Sequence, residues 1–486
     1  MPDSAQRTCE AARRGLPLAL LVACLARLGS GQGPVEPQPL GELRPIVIEQ
    51  LSSPDPIARG EAALLLASAH EADAYQHILP IARDPAGEAR IRGLLALGHL
   101  GTPGTAAVLS AAARDAARAS RERLAAAYAL GLLADDQAGL TADEVFHGTG
   151  GSGYRRNREL LQALLLGLAQ GVHPQRSTRL RTLASDPSNQ VAEIKELALR
   201  ALARTPGAMD GETLDLLLES RDPQCRAGGL ELLATGLVLP RAADVLTAEK
   251  LARKDPQAAV RAAALRALLH FRQPVALELG RAALRANDPV EAAAGVRICL
   301  QLGGGLARAD AEIAIAATRG RDRQLAMLQA CTGRPSDTFR AACQALATDP
   351  ANPWVLRARA AAVLADPADP RGRVLLTDLF FETREPQALA ILAQALARGE
   401  DLPDLPARLE RSEAAAESHQ IPARLAALVL ADYPGAAAKC QALLADVHTP
   451  GEASAVLLRA LRATRLQGPS GRELELVAPE LAHVLR

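Results

Sequence analysis

Aromatic side chains are nearly missing from this 486-residue chain: one Trp, four Tyr and five Phe, 2% of the total. Any core must therefore be filled by Leu, Val, Ile and Ala. An aromatic-lined groove for a large planar ligand has too few residues to line it. Net charge is missing too, with 55 basic residues against 55 acidic. That argues against a nucleic-acid binder, which carries a basic excess. Lysine is confined to Lys195, Lys250, Lys254 and Lys439, so the positive charge is almost all arginine, a bias of coding composition rather than a phosphate site. No alternating β-branched run marks a strand. No Cys-x-x-Cys, His-Glu-x-x-His or Gly-x-Ser-x-Gly marks a zinc, metalloprotease or hydrolase site.

What is present is repetition. Asp255-Pro256 precedes an Ala/Leu/Arg run in which Val260, Ala263, Ala264, Ala267 and Leu268 fall on one helical face. A short acidic side chain caps free N–H groups, and proline fits the first helical position because it has no N–H to leave unsatisfied. The same turn recurs at Asp55-Pro56, Asp84-Pro85, Asp186-Pro187, Asp222-Pro223, Asp288-Pro289 and Asp349-Pro350. Spacings are 29 from 55 to 84, 36 from 186 to 222, then 33 and 33. Arg114-Asp115 and Arg321-Asp322 stand where further copies fall, without the proline. Leu97-Gly98, Leu130-Gly131 and Leu166-Gly167 form a second marker in phase, 33 and 36 residues apart. Two helices per period of this length predict an all-α fold, an α-solenoid built as one quasi-linear array.

The Asp-Pro turn, the arginine that follows it (Arg59, Arg90, Arg226, Arg261) and the Ala-x-x-Ala-Leu run resemble the HEAT-repeat family, in its short bacterial PBS-lyase HEAT-like form. The resemblance covers roughly residues 46–480. It implies a right-handed superhelix of about 13 hairpins over 46–486, with second helices on the concave side. It also implies an Asp–Arg ladder between repeats, to which Asp255 with Arg261 and Asp222 with Arg226 would belong. The departures at 115 and 322 predict that the ladder is interrupted.

Residues 1–31 read as an export signal: Arg7, Arg13 and Arg14 precede the short apolar stretch Gly15 to Leu28. Two endings stay open, cleavage at Gly29-Ser30-Gly31 or a lipoprotein-type box, Leu21-Val22-Ala23-Cys24, that lipidates Cys24. The third alternative is a cytosolic protein with no functional signal. Residues 32–45, with Pro34, Pro37, Pro39 and Pro45, read as an extended linker. Gly303-Gly304-Gly305 reads as a loose joint, and the helix near Glu473–Leu485 as a terminal cap.

Chemistry is sparse. Gly148, Gly150 and Gly153 fit Gly-x-Gly-x-x-Gly but sit between helices with no strand, so a dinucleotide fold is not expected. The same loop places Tyr154, Arg155, Arg156 and Arg158 before a helix N-terminus, where they could hold an anion or an acidic partner side chain. A di-iron set of repeated His-Glu pairs, as one HEAT-type enzyme has, would need several copies; only His70-Glu71 occurs. Cys225, Cys299, Cys331, Cys343 and Cys440 read as small buried residues, with Cys331 and Cys343 able to pair in an oxidising compartment.

The expectation is a non-enzymatic scaffold, exported in view of the N-terminus, that binds a protein or peptide on its concave face. No cofactor, metal or small-molecule substrate is expected, and the membrane is met only through the N-terminal segment. Arg92, Arg123, Arg200, Arg266, Arg297 and Arg359, on second helices, are the candidate contacts. The competing readings are a bilin-lyase-like or metal-dependent solenoid enzyme and a DNA-binding solenoid. A closed pocket of His, Asp and Glu would mark the former, and a continuous basic groove the latter.

Overall fold

Capping aspartates decide where many helices begin. Asp55 accepts a hydrogen bond from the Ile57 amide at 3.0 Å, Asp222 from Gln224 at 3.1 Å, and Asp288 from Val290 and Glu291 at 2.9 and 3.1 Å. In each case proline occupies the first turn of the helix that follows. The computed structural model describes residues 40–41, 43–69, 73–102, 104–133, 159–160, 162–168, 180–181, 198–199, 202, 210–236, 238–331, 335–365, 370–397, 420–431, 433, 435–446 and 449–463. Among the described residues there are helices and turns and no strand. The chain is an all-α solenoid of two-helix units.

By contacts the chain divides into two units, residues 1–176 with 408–486, and 177–407. In the first unit the hairpins are α1 (Leu43–Gln50) with α2 (Pro56–Ser68), α3 (Ala74–Ile81) with α4 (Gly87–Leu100), and α5 (Thr105–Arg114) with α6 (Ser120–Leu132). In the second they are α7 (Gly211–Leu218) with α8 (Pro223–Ala234), α9 (Ala242–Lys254) with α10 (Ala258–His270), and α11 (Val275–Ala283) with α12 (Pro289–Leu302). Then follow α13 (Gly304–Ala316) with α14 (Arg321–Gln329), α15 (Asp337–Thr348) with α16 (Trp354–Val363), and α17 (Pro370–Glu382) with α18 (Pro386–Ala397). The first unit is completed by α19 (Ile421–Leu430), α20 (Ala436–Ala445) and α21 (Gly451–Ala463). Second helices pack on the second helices of neighbouring repeats and on their own first helices. The core of α7–α12 is Leu214, Leu230, Leu233, Val260, Leu268 and Ile298 with alanines between them.

The paired Leu-Gly markers are the points of closest approach. A Cβ on Gly98 would lie 2.7 Å from the Ala129 Cα, one on Gly131 2.3 Å from the Leu164 carbonyl oxygen, and one on Gly167 2.0 Å from that of Tyr128. Only glycine lets these second helices touch backbone to backbone.

An arginine–carboxylate ladder runs between repeats, but each rung joins one repeat to the next. Arg59 Nε and Nη2 donate to Asp84 at 2.9 and 3.0 Å, and Arg226 Nε and Nη2 to Asp255 at 2.8 and 3.1 Å. Asp255 thus pairs with Arg226 of the preceding repeat, and Arg261 reaches forward to Glu291. Where Asp115 departs from the pattern, Arg90 takes Glu122, in the first turn of α6, at 2.5 Å. The rung is replaced rather than missing. Each of these arginines also donates through Nη1 to a carbonyl of its own turn, Ser53, Asp84, Ser220 or Asp255.

Three sequence readings need correction. The linker expected to reach residue 45 stops earlier, because α1 starts at Leu43 and Pro45 lies in its first turn, where an N–H has no intrahelical acceptor to lose. The helix after Asp255-Pro256 starts at Ala258, two residues past the turn, with Asp255 accepting from the Gln257 amide at 2.9 Å. The glycine run at 303–305 is a tight corner rather than a loose joint. A Cβ on Gly303 would meet the Ala307 Cβ at 2.1 Å, and Gly304 has a left-handed φ of +59°. The segment expected to cap the chain, 473–485, lies outside the described residues.

In the first unit α21 packs against α2 much as α4 does on its other side. The last described hairpin therefore sits where a repeat preceding the first would sit.

Candidate functional site

The second helices α2 and α4 are covered more fully than α8, α10 and α12. In α2 every residue from Gly60 to Ser68 is buried, and in α4 every residue from Ile91 to Gly98. In α8, α10 and α12 a narrow strip stays half-exposed, including Glu231, Arg266 and Arg297. The candidate arginines divide along this line.

Arg92 on α4 is 2% exposed and its Nε lies 3.2 Å from Glu61 on α2, itself fully buried. Its Nη1 donates to Glu88 Oε2 at 2.8 Å, and Arg121 on α6 reaches Glu88 at 3.1 Å. From the other side Arg459 and Arg462 of α21 bring their Nε atoms to 3.2 and 3.0 Å from Glu61. Burial, opposed by attraction to Glu61 and reinforced by the charges of Arg459 and Arg92, pulls the Arg462 guanidinium below its ordinary value. Two carboxylates thus hold four arginines across α21, α2, α4 and α6. Arg92, read from sequence as a partner contact, is an internal tie.

Arg123 on α6 is half-buried and donates through Nε to the Ala113 carbonyl of α5 at 3.1 Å, clamping its own hairpin. Arg357 does the same to Ala347 at 3.0 Å while its guanidinium lies 4.1 Å from the Trp354 ring centre. Arg359 is half-buried on α16. Arg266 on α10 pairs with Glu231 on α8, Nε to Oε1 at 2.9 Å, with Nη2 in closer contact with the same oxygen. Arg297, at the corresponding place on α12, makes no hydrogen bond or ion pair among the described residues. Burial lowers its guanidinium from the usual value, the Arg266 charge adds to that, and Glu231 opposes it. Tyr154, Arg155, Arg156, Arg158, Arg200 and Cys24 lie outside the described residues, as does His70-Glu71.

Cys225, Cys299, Cys331, Cys343 and Cys440 form no disulfide among the described residues. Burial pushes Cys331, Cys343 and Cys440 up to about 12 and Cys299 to about 11, so they are neutral and unreactive at pH 7. Phe380 is fully buried and stacks edge-on with Phe381 at 5.6 Å. Among the described residues no three His, Cys, Asp or Glu come together as a metal set, and no helix is long and apolar enough to cross a membrane.

Sequence reasoning picked Arg266 and Arg297 but missed Glu231 and Gln329, which stand at corresponding positions on α8 and α14. The signal was the repeat register itself, read across helices rather than along one.

No curated protein matches the chain. Among solved structures, the chain is similar to an engineered protein, at 16% identity over 86% of this chain and 98% of that one, with a TM-score of 0.27. It is also similar to importin beta, crystallised in an ammonium sulfate condition, at 13% identity over 99% of this chain and 73% of that one, with a TM-score of 0.29. At such TM-scores neither likeness bears on what this chain binds. A family model described as HEAT repeats matches residues 45–131, the stretch that forms α1–α6.

Proposed function

We propose that the chain is a non-enzymatic scaffold, of the short bacterial HEAT-like type, that binds a protein or peptide partner along the second helices of residues 210–329. The observation that carries this reading is the half-exposed polar strip on α8, α10 and α12, which ends in an arginine with no acceptor of its own. Repeat arrays present long surfaces on a rigid backbone, and a strip of short polar and arginine side chains suits an extended segment. The N-terminal basic and apolar segment supports export, either cleaved near Gly31 or lipidated at Cys24.

The test is affinity capture from the native organism with the N-terminus intact, followed by mass spectrometry of the mature chain. A stoichiometric protein partner is expected. Its retention should fall with Arg266→Glu on the strip and stay with Arg253→Glu on the first helix α9. A tightly bound stoichiometric chromophore or metal would replace this reading with an enzyme, and a mature chain that keeps Met1 would remove export.

A further inference from the structure

Four successive second helices carry a polar side chain at one register: Glu231 on α8, Arg266 on α10, Arg297 on α12 and Gln329 on α14. Neighbouring helices of this set pack directly on one another, so the positions form a row. The row is unevenly satisfied. At one end Glu231 neutralises Arg266 through two contacts from the guanidinium. At the other, the Gln329 amide nitrogen is buried and has no acceptor among the described residues. Between them Arg297 has lost part of its water, sits beside the like charge of Arg266, and is offset only in part by Glu231, which Arg266 already binds.

Withdrawing a guanidinium from water without an acceptor is unfavourable, and the cost is recovered when a ligand supplies one. We infer that Arg297, flanked by Arg266 and Gln329, is a binding site for a carboxylate of the partner, an Asp or Glu side chain or a chain terminus. This rests on the scaffold reading and names the chemistry its strip selects. The charge balance chooses the ligand. Two arginines against one glutamate leave a surplus of one, which a carboxylate cancels and a phosphate dianion would exceed. The planar guanidinium accepts a carboxylate fork to fork, and the Gln329 amide adds a donor without adding charge.

The site is tested on the full-length chain with three fluorescein-labelled peptides read by anisotropy: alternating Glu-Gly, alternating Gln-Gly and alternating phosphoserine-Gly. The Glu peptide should bind at least about tenfold more tightly than the Gln peptide, the margin of one charge-assisted contact. Arg297→Gln, which keeps most of the side-chain volume, should remove that margin, and Arg297→Lys should keep part of it. Glu231→Gln, which frees Arg266, should tighten the Glu peptide. Because Arg297→Gln removes a partly desolvated charge, its thermal midpoint should be no lower than that of the parent chain, which separates lost binding from lost folding.

Equal binding of the Glu and Gln peptides, or an unchanged margin in Arg297→Gln, would overturn the assignment. Tighter binding of the phosphoserine peptide by tenfold or more would give the site to phosphate instead. Failure of the two ideas is distinguishable. A native partner held equally by Arg297→Gln removes this site and leaves the scaffold standing. A carboxylate preference lost in Arg297→Gln, with no protein retained in capture, keeps the site and removes the scaffold.

Discussion

Arg226 reaches out of its own repeat to the capping aspartate of the next: Nε meets Asp255 Oδ2 at 2.8 Å and Nη2 meets Oδ1 at 3.1 Å. The same aspartate accepts the Gln257 amide at 2.9 Å. One carboxylate therefore caps a helix and fastens the preceding repeat. Its side chain is 3% exposed, so its charge has little solvent to turn to. Arg226→Ala should cost about 3 kcal/mol, the usual penalty for leaving one partner of a buried pair alone. Arg226→Lys, which keeps the charge but loses the fork, should cost about half that. Urea unfolding of the three proteins checks the order, and equal midpoints for wild type and Arg226→Ala would remove the ladder as a stabilising element.

Acid should loosen the ladder in a defined window. Burial works to raise the Asp84 carboxyl, but hydrogen bonds from Arg59 and the Ala86 amide, with the charges of Arg59 and Arg90, outweigh it and leave the pKa lowered. A folded-state pKa below the unfolded one contributes stability that is present in full above the unfolded value, about 4. It is lost as pH falls through the folded value. Stability should therefore be flat with respect to this group at pH 6–7 and decline below about pH 4. Asp84→Asn should shrink that decline and lower stability at neutral pH by about 2 kcal/mol. An acid limb that is identical in wild type and Asp84→Asn would count against it.

A gain in stability should come from one turn. Arg272 follows α10 with a φ of 51°, whereas Gly101 after α4 and Gly236 after α8 take 64° and 71°. The left-handed region crowds a Cβ against the backbone, and glycine is the usual residue after a helix. Arg272→Gly should raise stability by about 1 kcal/mol, offset in part by the greater freedom of the unfolded chain. Thermal unfolding measures the change, and a lower midpoint would show that the Arg272 side chain contributes more than its backbone strain costs.

Glu61→Gln tests the contact of α21 on α2. The change keeps shape but removes the one carboxylate that Arg92, Arg459 and Arg462 share. Loss of about 3 kcal/mol is expected. Hydrogen exchange should quicken first in α21, whose arginines lose their anchor, before it changes in α10 or α12. Unchanged protection of 451–463 would mean that apolar packing alone holds this hairpin.

Much of the architecture was legible because it is local. An aspartate before a proline caps a helix wherever it occurs, and a glycine three turns into a helix marks a close neighbour. The fates of the arginines were not legible in the same way. Arg92 and Arg297 are the same residue on second helices, yet one is an internal tie and the other has no acceptor. What separates them is the neighbouring repeat: Glu61 lies beside Arg92, while the carboxylate nearest Arg297 is already taken by Arg266. The partner of each rung was hidden for a related reason. Asp255 and Arg261 are close in sequence, but the side chains fork toward the adjacent repeats, Asp255 back to Arg226 and Arg261 on to Glu291. The α21–α2 contact left no local trace at all, since nothing within either helix announces the other.

That contact also imposes an order on synthesis. Neighbouring hairpins close over short stretches of chain, but Arg459 and Glu61 lie 398 residues apart, so their meeting pays a larger loop-closure cost than any contact between consecutive hairpins. Until residues 451–463 emerge from the ribosome, a nascent α2 keeps one flank uncovered and its Glu61 is held by Arg92 alone. A second copy finishing nearby offers the same helix and the same arginines. Exchange of C-terminal hairpins between two chains is then the natural competing product, and it should grow with expression level and with crowding of nascent chains on one message.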